Sequence, residues 1–238
     1  MKEKRTKEHS TNKRNTVAVV ALLLVCVLAI GGTIAYLTSH SQLTNTFTVG
    51  QISPIAPGKP GPGEKPIDPE AEKNGKLSGN LYEPSWVKDS KLLPTASIAK
   101  DPYVGVGAGS EACDVYVYVK NTMNNRNHIY FTINDGWEAV EGQVSVFDNS
   151  KYTGGLFKYT AGLDASKEEV NNVWTTNPLF STVEVTADAV ADDFNTPEED
   201  KVGAIEVNSF LHQSKDADNK DIDDSEILAA VKKQFGLQ

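Results

Sequence analysis

The residues of this chain whose side chains could carry chemistry are four histidines, two cysteines and a late run of carboxylates. A hydrolytic zinc centre asks for two His one helical turn apart, a neighbouring Glu as base and a coordination position left open. His9, His40, His128 and His212 are all distant from one another in sequence, so only folding could assemble a composite of His40, His128 and His212. Each reads instead as a solvated or strand-end imidazole. A Gly-rich phosphate loop is missing, and so is a Ser in a G-x-S-x-G elbow. Cys26 lies in an apolar run, with Val25 before it and Val27 and Leu28 after it; a lipid-modified Cys needs a small residue before and polar sequence after. Cys113 reads as a small buried hydrophobe at the start of a strand.

The late carboxylates begin like a calcium loop. Asp216-Ala217-Asp218-Asn219-Lys220-Asp221-Ile222-Asp223 opens like an EF-hand loop, with acids at the first and third positions. It then departs: Lys220 stands at the fifth position, Asp221 replaces the Gly of the sixth, and Ile227 replaces the Glu of the twelfth. A looser calcium site that adds Asp192, Asp193, Glu198, Glu199 and Asp200 is the alternative to a solvated acidic face. The expectation is a protein with no catalytic residues, no cofactor and no metal, hence no enzyme.

Charge narrows the partners. The chain of 238 residues carries a formal −9, but residues 1–35 hold six Lys/Arg and two acids, leaving 17 basic and 30 acidic residues beyond them, a net of −13. Nucleic acid rewards basic patches through counterion release, so it is excluded as a partner. Such a charge suits a soluble extracellular life.

The elements that would position these groups begin with a leader. Lys2, Lys4, Arg5, Lys7, Lys13 and Arg14 precede an apolar run of 14 residues from Val17 to Ile30, the length of a signal h-region and short of the roughly 20 residues of a membrane span. Thr33 and Ala35 supply the small residues a signal peptidase reads, which places the cut between Ala35 and Tyr36 or one residue later. The competing reading is an uncleaved anchor through Leu37, against which the Gly31-Gly32 pair interrupts the run. After cleavage Cys113 has no partner for an intramolecular disulfide.

Leu43 to Ile52 then alternates at period two. Leu43, Asn45, Phe47 and Val49 share one face, and Thr44, Thr46 and Thr48 the other, as in a strand. A sheet with an unfilled strand position exposes unpaired N–H and C=O groups, which a compatible strand from another chain can satisfy. Leu43, Asn45, Phe47 and Val49 are therefore read as the core-facing residues of a donor strand that completes a neighbouring subunit's sheet. A repeated heterologous contact of this kind propagates head to tail as a homopolymer.

Gly31-Gly32-Thr33-Ile34-Ala35-Tyr36 followed by Asn45-Thr46-Phe47-Thr48-Val49-Gly50 resembles the N-terminus of the TasA and camelysin family. The resemblance continues in Leu81-Tyr82-Glu83-Pro84-Ser85-Trp86, in Leu93-Pro94 and Ala99-Lys100-Asp101-Pro102-Tyr103-Val104, and in Val115-Tyr116-Val117-Tyr118-Val119-Lys120. It implies a secreted protein of Gram-positive bacteria, exported with a SipW-type signal peptidase, and a subunit of biofilm-matrix fibres at the cell surface or in the extracellular matrix. Matrix or cell-surface proteins would be further partners. The camelysin name is linked with metalloendopeptidase activity, which stands as an alternative without a zinc motif to support it; a monomeric surface adhesin is another.

From Pro54 to Pro69 the composition changes to Pro and Gly. Such a run forms neither ladder nor helix, and as an extended linker it would span on the order of 50 Å at ~3.1 Å per residue. An ordered surface insertion is the equal alternative. The organisation is thus residues 1–35 signal peptide, 36–53 N-terminal strand, 54–75 linker or insertion, and 76–238 a β domain.

That domain reads as an antiparallel β-sandwich with a few short helices, which the resemblance sharpens to a jelly roll. Asp114 to Lys120 is its clearest strand, with Val115, Val117 and Val119 on one side and Tyr116 and Tyr118 on the other. Ile129–Ile133, Gln143–Phe147, Gly155–Thr160, Leu179–Thr186 and Val202–Leu211 are further strands, and Asn134-Asp135-Gly136 is a tight turn. Ser166 to Glu169 has capping-box spacing and predicts a short helix to Val173. At the end, Asp223 caps an amphipathic helix with Ile227, Leu228, Val231 and Phe235 on one face, Lys232 and Lys233 in the last turn and Gly236 beyond it, expected to pack on the sandwich edge.

Overall fold

Valine alternating with tyrosine makes the segment around Val117 the centre of the molecule. The computed structural model describes residues 46–47, 52–87, 90–196 and 203–238, and there the backbone is strand in most of its regular structure. In chain order the strands are β1 (Thr46–Phe47), β2 (Leu77–Ser78), β3 (Leu81–Tyr82), β4 (Ser97–Ala99), β5 (Tyr103–Val106), β6 (Cys113–Asn121), β7 (Ile129–Thr132), β8 (Trp137–Asp148), β9 (Lys151–Leu163), β10 (Val173–Trp174), β11 (Thr182–Val185) and β12 (Ile205–Gln213). One α-helix among the described residues, α1 (Asp224–Phe235), follows them. The larger sheet is ordered β1-β12-β6-β9-β7-β11-β4, with β8 added along β9, and the smaller is ordered β10-β5-β3-β2. Among the described residues every strand pair is antiparallel except β1 with β12. The chain is therefore an all-β, antiparallel protein, as its alternating segments predict.

Period two sorts β6 between two cores. Val115, Val117 and Val119 are buried with Leu81, Val104 and Val106 of the smaller sheet and with Phe131, Phe157 and Leu211 of the larger, so both sheets share one core. Tyr116 turns to the opposite face with Leu156 and Phe210, where Ile227 and Val231 of α1 cover them. Fully burying each such aliphatic side chain contributes about 1.5–3 kcal/mol. The helix thus lies on the face of β12-β6-β9 rather than on the expected edge, because that is where the apolar row is. Its ends follow the sequence: Asp223 accepts the Ser225 N–H at 2.8 Å, and Gly236 closes the C-terminus at φ +66°. Lys158 ties the first turn to the sheet, reaching Asp224 at 3.0 Å and Asp114 at 3.3 Å. Burial opposes the charge on Lys158, but the hydrogen bond to Asp224 and the nearby acids outweigh it and raise its pKa above the ordinary lysine value.

One local expectation is corrected. Residues 164–172 form turns, not the helix predicted from Ser166 to Val173. Side chains there bind nearby backbone instead: Asp164 accepts the Ser166 N–H at 2.9 Å, and Glu168 accepts those of Val170 and Asn171 at 3.1 and 3.0 Å. Local acceptors of this kind compete with the helical ladder. The carbonyls of Ala165 and Glu168 are also claimed, by the Gly109 N–H.

The Pro-rich run is not an extended spacer. Ile55 and Ile67 are buried with Ala71 and Leu77 in a small cluster that also meets Tyr82 and Trp174. Ser53 donates to Ser110 Oγ at 2.9 Å, Ala56 and Asn172 exchange hydrogen bonds of 2.9 and 3.1 Å, and Trp174 Nε1 donates to the Pro60 carbonyl at 3.1 Å. Prolines leave backbone carbonyls without ladder partners, and side chains of the domain supply them.

Candidate functional site

The larger sheet runs from β4 at one end to β12 and β1 at the other, yet side chains from both ends line one cleft. Ile98 of β4, Val183 of β11 and Ile205 of β12 meet there with Trp86, Leu92 and Met123 around a space of about 220 Å³. The sheet therefore curls into a half-barrel, and this cleft is its seam. Gly203 allows the close approach: a Cβ there would stand 2.5 Å from Met123 Cγ and 3.0 Å from the Phe194 carbonyl.

Beside the seam is a buried ion pair. Lys100 Nζ sits 2.9 Å from both oxygens of Glu83, with the two side chains only 10% and 6% exposed, and 4.7 Å from the centre of the Trp86 ring. The next residue, Asp101, accepts the Ser85 N–H at 2.8 Å. Local sequence explains the meeting. β3 and β5 pair through Leu81–Val104 and Tyr82–Tyr103, and the ladder stops where Pro84 and Pro102 bring no N–H. The segments beyond the ladder, Glu83-Pro84-Ser85-Trp86 and Lys100-Asp101-Pro102, are then held against each other by side chains. Burial and the Asp101 charge raise the phenols of Tyr82 and Tyr103 above their usual pKa.

At the other end of the sheet, Thr46 and Phe47 lie parallel to Phe210 and Leu211. Of the donor-strand residues only the backbone of Phe47 is described; Leu43, Asn45 and Val49 lie outside the described residues, as do the cleavage residues Ala35 and Tyr36.

No family model, curated protein or solved structure matches this chain.

The candidate chemical residues are placed as follows. His128, which ends the 3-10 turn just before β7, meets Thr186 Oγ1 at 2.8 Å through Nδ1, with Asp188 at 3.5 Å on that side and Asp193 at 3.6 Å from Nε2. The two carboxylates flank opposite nitrogens and do not converge on one point. His212 Nδ1 is 2.7 Å from the Gln213 carbonyl, and its ring stacks on Phe210. His40 lies outside the described residues. Among those described, no group of three or more His, Cys, Asp or Glu is placed to hold a metal. Asp216 accepts the N–H groups of Asp218 and Lys220, both at 2.9 Å, and so closes its own turn, while Lys215 pairs with Asp221 at 2.7 Å. Glu198, Glu199 and Asp200 lie outside the described residues. Cys113 is 2% exposed, and burial with the neighbouring Asp114 pushes its thiol up to about 12, so it stays protonated at neutral pH.

The seam and the Glu83–Lys100 pair escape a reading by periodicity. The signal that could have found the pair is the Glu-Pro and Lys-Asp-Pro flanks of two strands, where ladder pairing must end.

Asp193 carries a pH expectation. The Val190 N–H at 2.7 Å, then Asn125 and His128, hold its carboxyl below the ordinary 3.8. A depressed folded pKa stabilises above the unfolded value and is lost as pH falls through the folded one. The urea midpoint should therefore fall as the pH is taken down from about 5 through the ordinary carboxylate range and below it, and Asp193→Asn should lessen that fall in a pH series of urea titrations.

Proposed function

We propose that the protein is a secreted structural subunit of extracellular, biofilm-matrix-type fibres, its two sheets forming a jelly-roll sandwich of the TasA and camelysin kind. Its leader is removed after Ala35 by a SipW-type peptidase, and subunits join head to tail by exchange of the strand that begins after the cut.

The observation that carries this reading is the pairing of Thr46–Phe47 with Phe210–Leu211. It is the parallel pair in an otherwise antiparallel sheet, it sits at the end of the sheet, and it joins residues far apart in sequence. Exchanging an identical element between copies is a low-cost route to assembly, because the contact made in one chain is remade with the neighbour. The reach does not come from the Pro-rich run, which is fastened from Ser53 onward by Ser110, Gly107 and Asn80. Residues 48–51, between Phe47 and the buried Ile52, give roughly 14 Å at ~3.4 Å per residue, so neighbouring subunits must pack closely.

Electron microscopy of the protein produced from the full-length chain should show filaments, and intact mass should begin at Tyr36 or one residue later. Deleting residues 36–52, or introducing Phe47→Asp, should abolish filaments and leave a soluble folded monomer. Filaments that persist unchanged without the segment would sink the proposal.

A further inference from the structure

A polar cavity of about 590 Å³ lies where the segments beyond β3, β4 and β7 meet the one before β11, and its lining includes Asp101, Tyr103, Asn134, Asp135, Asn177 and Ser181. Backbone bonds fasten these segments to one another. Lys100 donates its N–H to the Ser181 carbonyl at 3.2 Å, Leu179 to the Pro102 carbonyl at 2.9 Å, and Asn134 to the Leu179 carbonyl at 2.9 Å. Trp137 Nε1 adds a bond to the Asn177 carbonyl at 3.1 Å. The walls are thus positioned before any ligand arrives.

What they present is oxygen. Asn134 spends its Nδ2 on the Pro178 carbonyl at 2.9 Å and on Ser181 Oγ at 3.1 Å, and Asn177 spends its own on the Asp135 carbonyl at 3.1 Å. A carbonyl only accepts, which fixes both amides with nitrogen toward the wall. Asn134 Oδ1 and Asn177 Oδ1 are left without a donor among the described residues, and neither is sealed off, unlike Asn80 Oδ1 and Asn121 Nδ2 elsewhere. Asp101 is 9% exposed, yet only one of its oxygens is engaged, by the Ser85 N–H at 2.8 Å. Oδ2 takes no hydrogen bond and meets no cation among the described residues, and it too is open. The neighbouring cation is committed, since Lys100 Nζ holds both oxygens of Glu83. Asp135 adds a second carboxylate to the lining, and no described Lys, Arg or His joins it. An enclosed carboxylate with one oxygen unpartnered gains most from a cation that also donates hydrogen bonds.

We propose that this cavity binds a hexosamine unit of a cationic polysaccharide, its ammonium on Asp101 and its hydroxyls on the amide oxygens of Asn134 and Asn177. The charge follows from two carboxylates without a basic partner, and the sugar from the acceptors left over. An ammonium on Asp101 leaves both amide oxygens without donors, and ring hydroxyls supply them. The volume falls within the range of about 300 to 1,000 Å³ for ligand pockets and leaves space for a pyranose with its chain neighbour. A lysine side chain of a protein partner would match the charge but bring no hydroxyl to the amides. An acidic saccharide would meet two like charges. This inference does not rest on the fibre reading, since a monomer presents the same cavity.

The test is a titration of the isotopically labelled protein, produced from the full-length chain, with D-glucosamine, D-glucose and Nα-acetyl-lysine amide at about pH 6, where both amines are charged. Glucosamine should shift the side-chain NH₂ resonances of Asn134 and Asn177 and the N–H of Ser85 with millimolar affinity, and glucose and the lysine amide should bind at least about tenfold more weakly. Asp101→Asn keeps an acceptor for Ser85 and removes the charge, and should weaken glucosamine about tenfold or more. Asp135→Asn, a change at an exposed residue, should weaken it about threefold. If Asp101→Asn does not fold, the three ligands on the parent protein and Asp135→Asn decide. Overturning results are unmoved Asn134 and Asn177 resonances at high millimolar glucosamine, glucose binding as tightly as glucosamine, or an undiminished response in a folded Asp101→Asn or in Asp135→Asn. Lysine amide binding as tightly as glucosamine would also overturn it, and would assign the cavity to a lysine of a protein partner.

Discussion

Lys100→Met is expected to destabilise the protein by about 3–5 kcal/mol, because it leaves the Glu83 carboxylate buried without its cation. Both partners are almost fully enclosed, and both carboxylate oxygens face the ammonium at 2.9 Å. Desolvating two charges costs several kcal/mol each, repaid only while they face one another, so removing one partner exposes the whole penalty of the other. The matching change separates this from a packing effect. Glu83→Leu combined with Lys100→Met replaces the pair by apolar groups, and should recover most of the loss or exceed the parent's stability. Urea titration of the two single variants and the double variant measures the coupling. A single-variant cost below about 1 kcal/mol would mean that the pair behaves as a solvated surface bridge.

This pair also marks where sequence reasoning loses its grip. Strand β6 and helix α1 were legible because each repeats a local rule: Val and Tyr at period two, an acid cap at Asp223, a left-handed glycine at Gly236. Glu83 and Lys100 obey no period, and charged residues ordinarily read as solvent-facing. Their burial follows from two prolines ending one ladder, which is a tertiary fact. The helix expected at Ser166 failed for the opposite reason. The capping spacing was present, but Asp164 and Glu168 found closer backbone donors. In β8 the predicted strand Gln143–Phe147 is only the far half of Trp137–Asp148, since the bulge at 140–143 breaks the alternation that would have extended it. The same bulge opens the cavity that Asn121 and Arg126 help to line, which no local rule marks in the sequence.

The Pro-rich run carries the sharpest consequence for assembly. Composition left an extended linker and an ordered insertion equally open, and the two isoleucines inside the run, Ile55 and Ile67, were the unread clue. A run fastened at home limits how far the N-terminal strand can travel, and so sets the spacing between subunits in the proposed fibre.

Gly105→Ala should loosen the run itself at a cost of about 3 kcal/mol, through overpacking and the loss of one side-chain hydrogen bond. Gly105 pairs directly with Trp174 across β5 and β10, and a Cβ on it would lie 2.5, 2.8 and 2.9 Å from three atoms of the indole. The ring must move. Its Nε1 holds the Pro60 carbonyl at 3.1 Å, and the ring packs against the cluster of Ile55 and Ile67 and meets Tyr82 of β3 with ring centres 5.7 Å apart, so displacement strips the Pro-rich run of that hydrogen bond and of the indole's packing. Amide hydrogen exchange should show the loss locally: the N–H groups of Ile55, Gly58 and Ile67, bonded to Gly79, Ile67 and Lys59, should lose protection while those of β6 keep most of theirs. Uniform loss across both sheets would mean that the indole supports the core rather than the run, and unchanged exchange would mean that it anchors neither. The bonds that fasten Ser53 to Ser110, Asn80 and Gly107 do not involve the indole, so the strand before the run gains no reach and filaments of this variant should keep their subunit spacing.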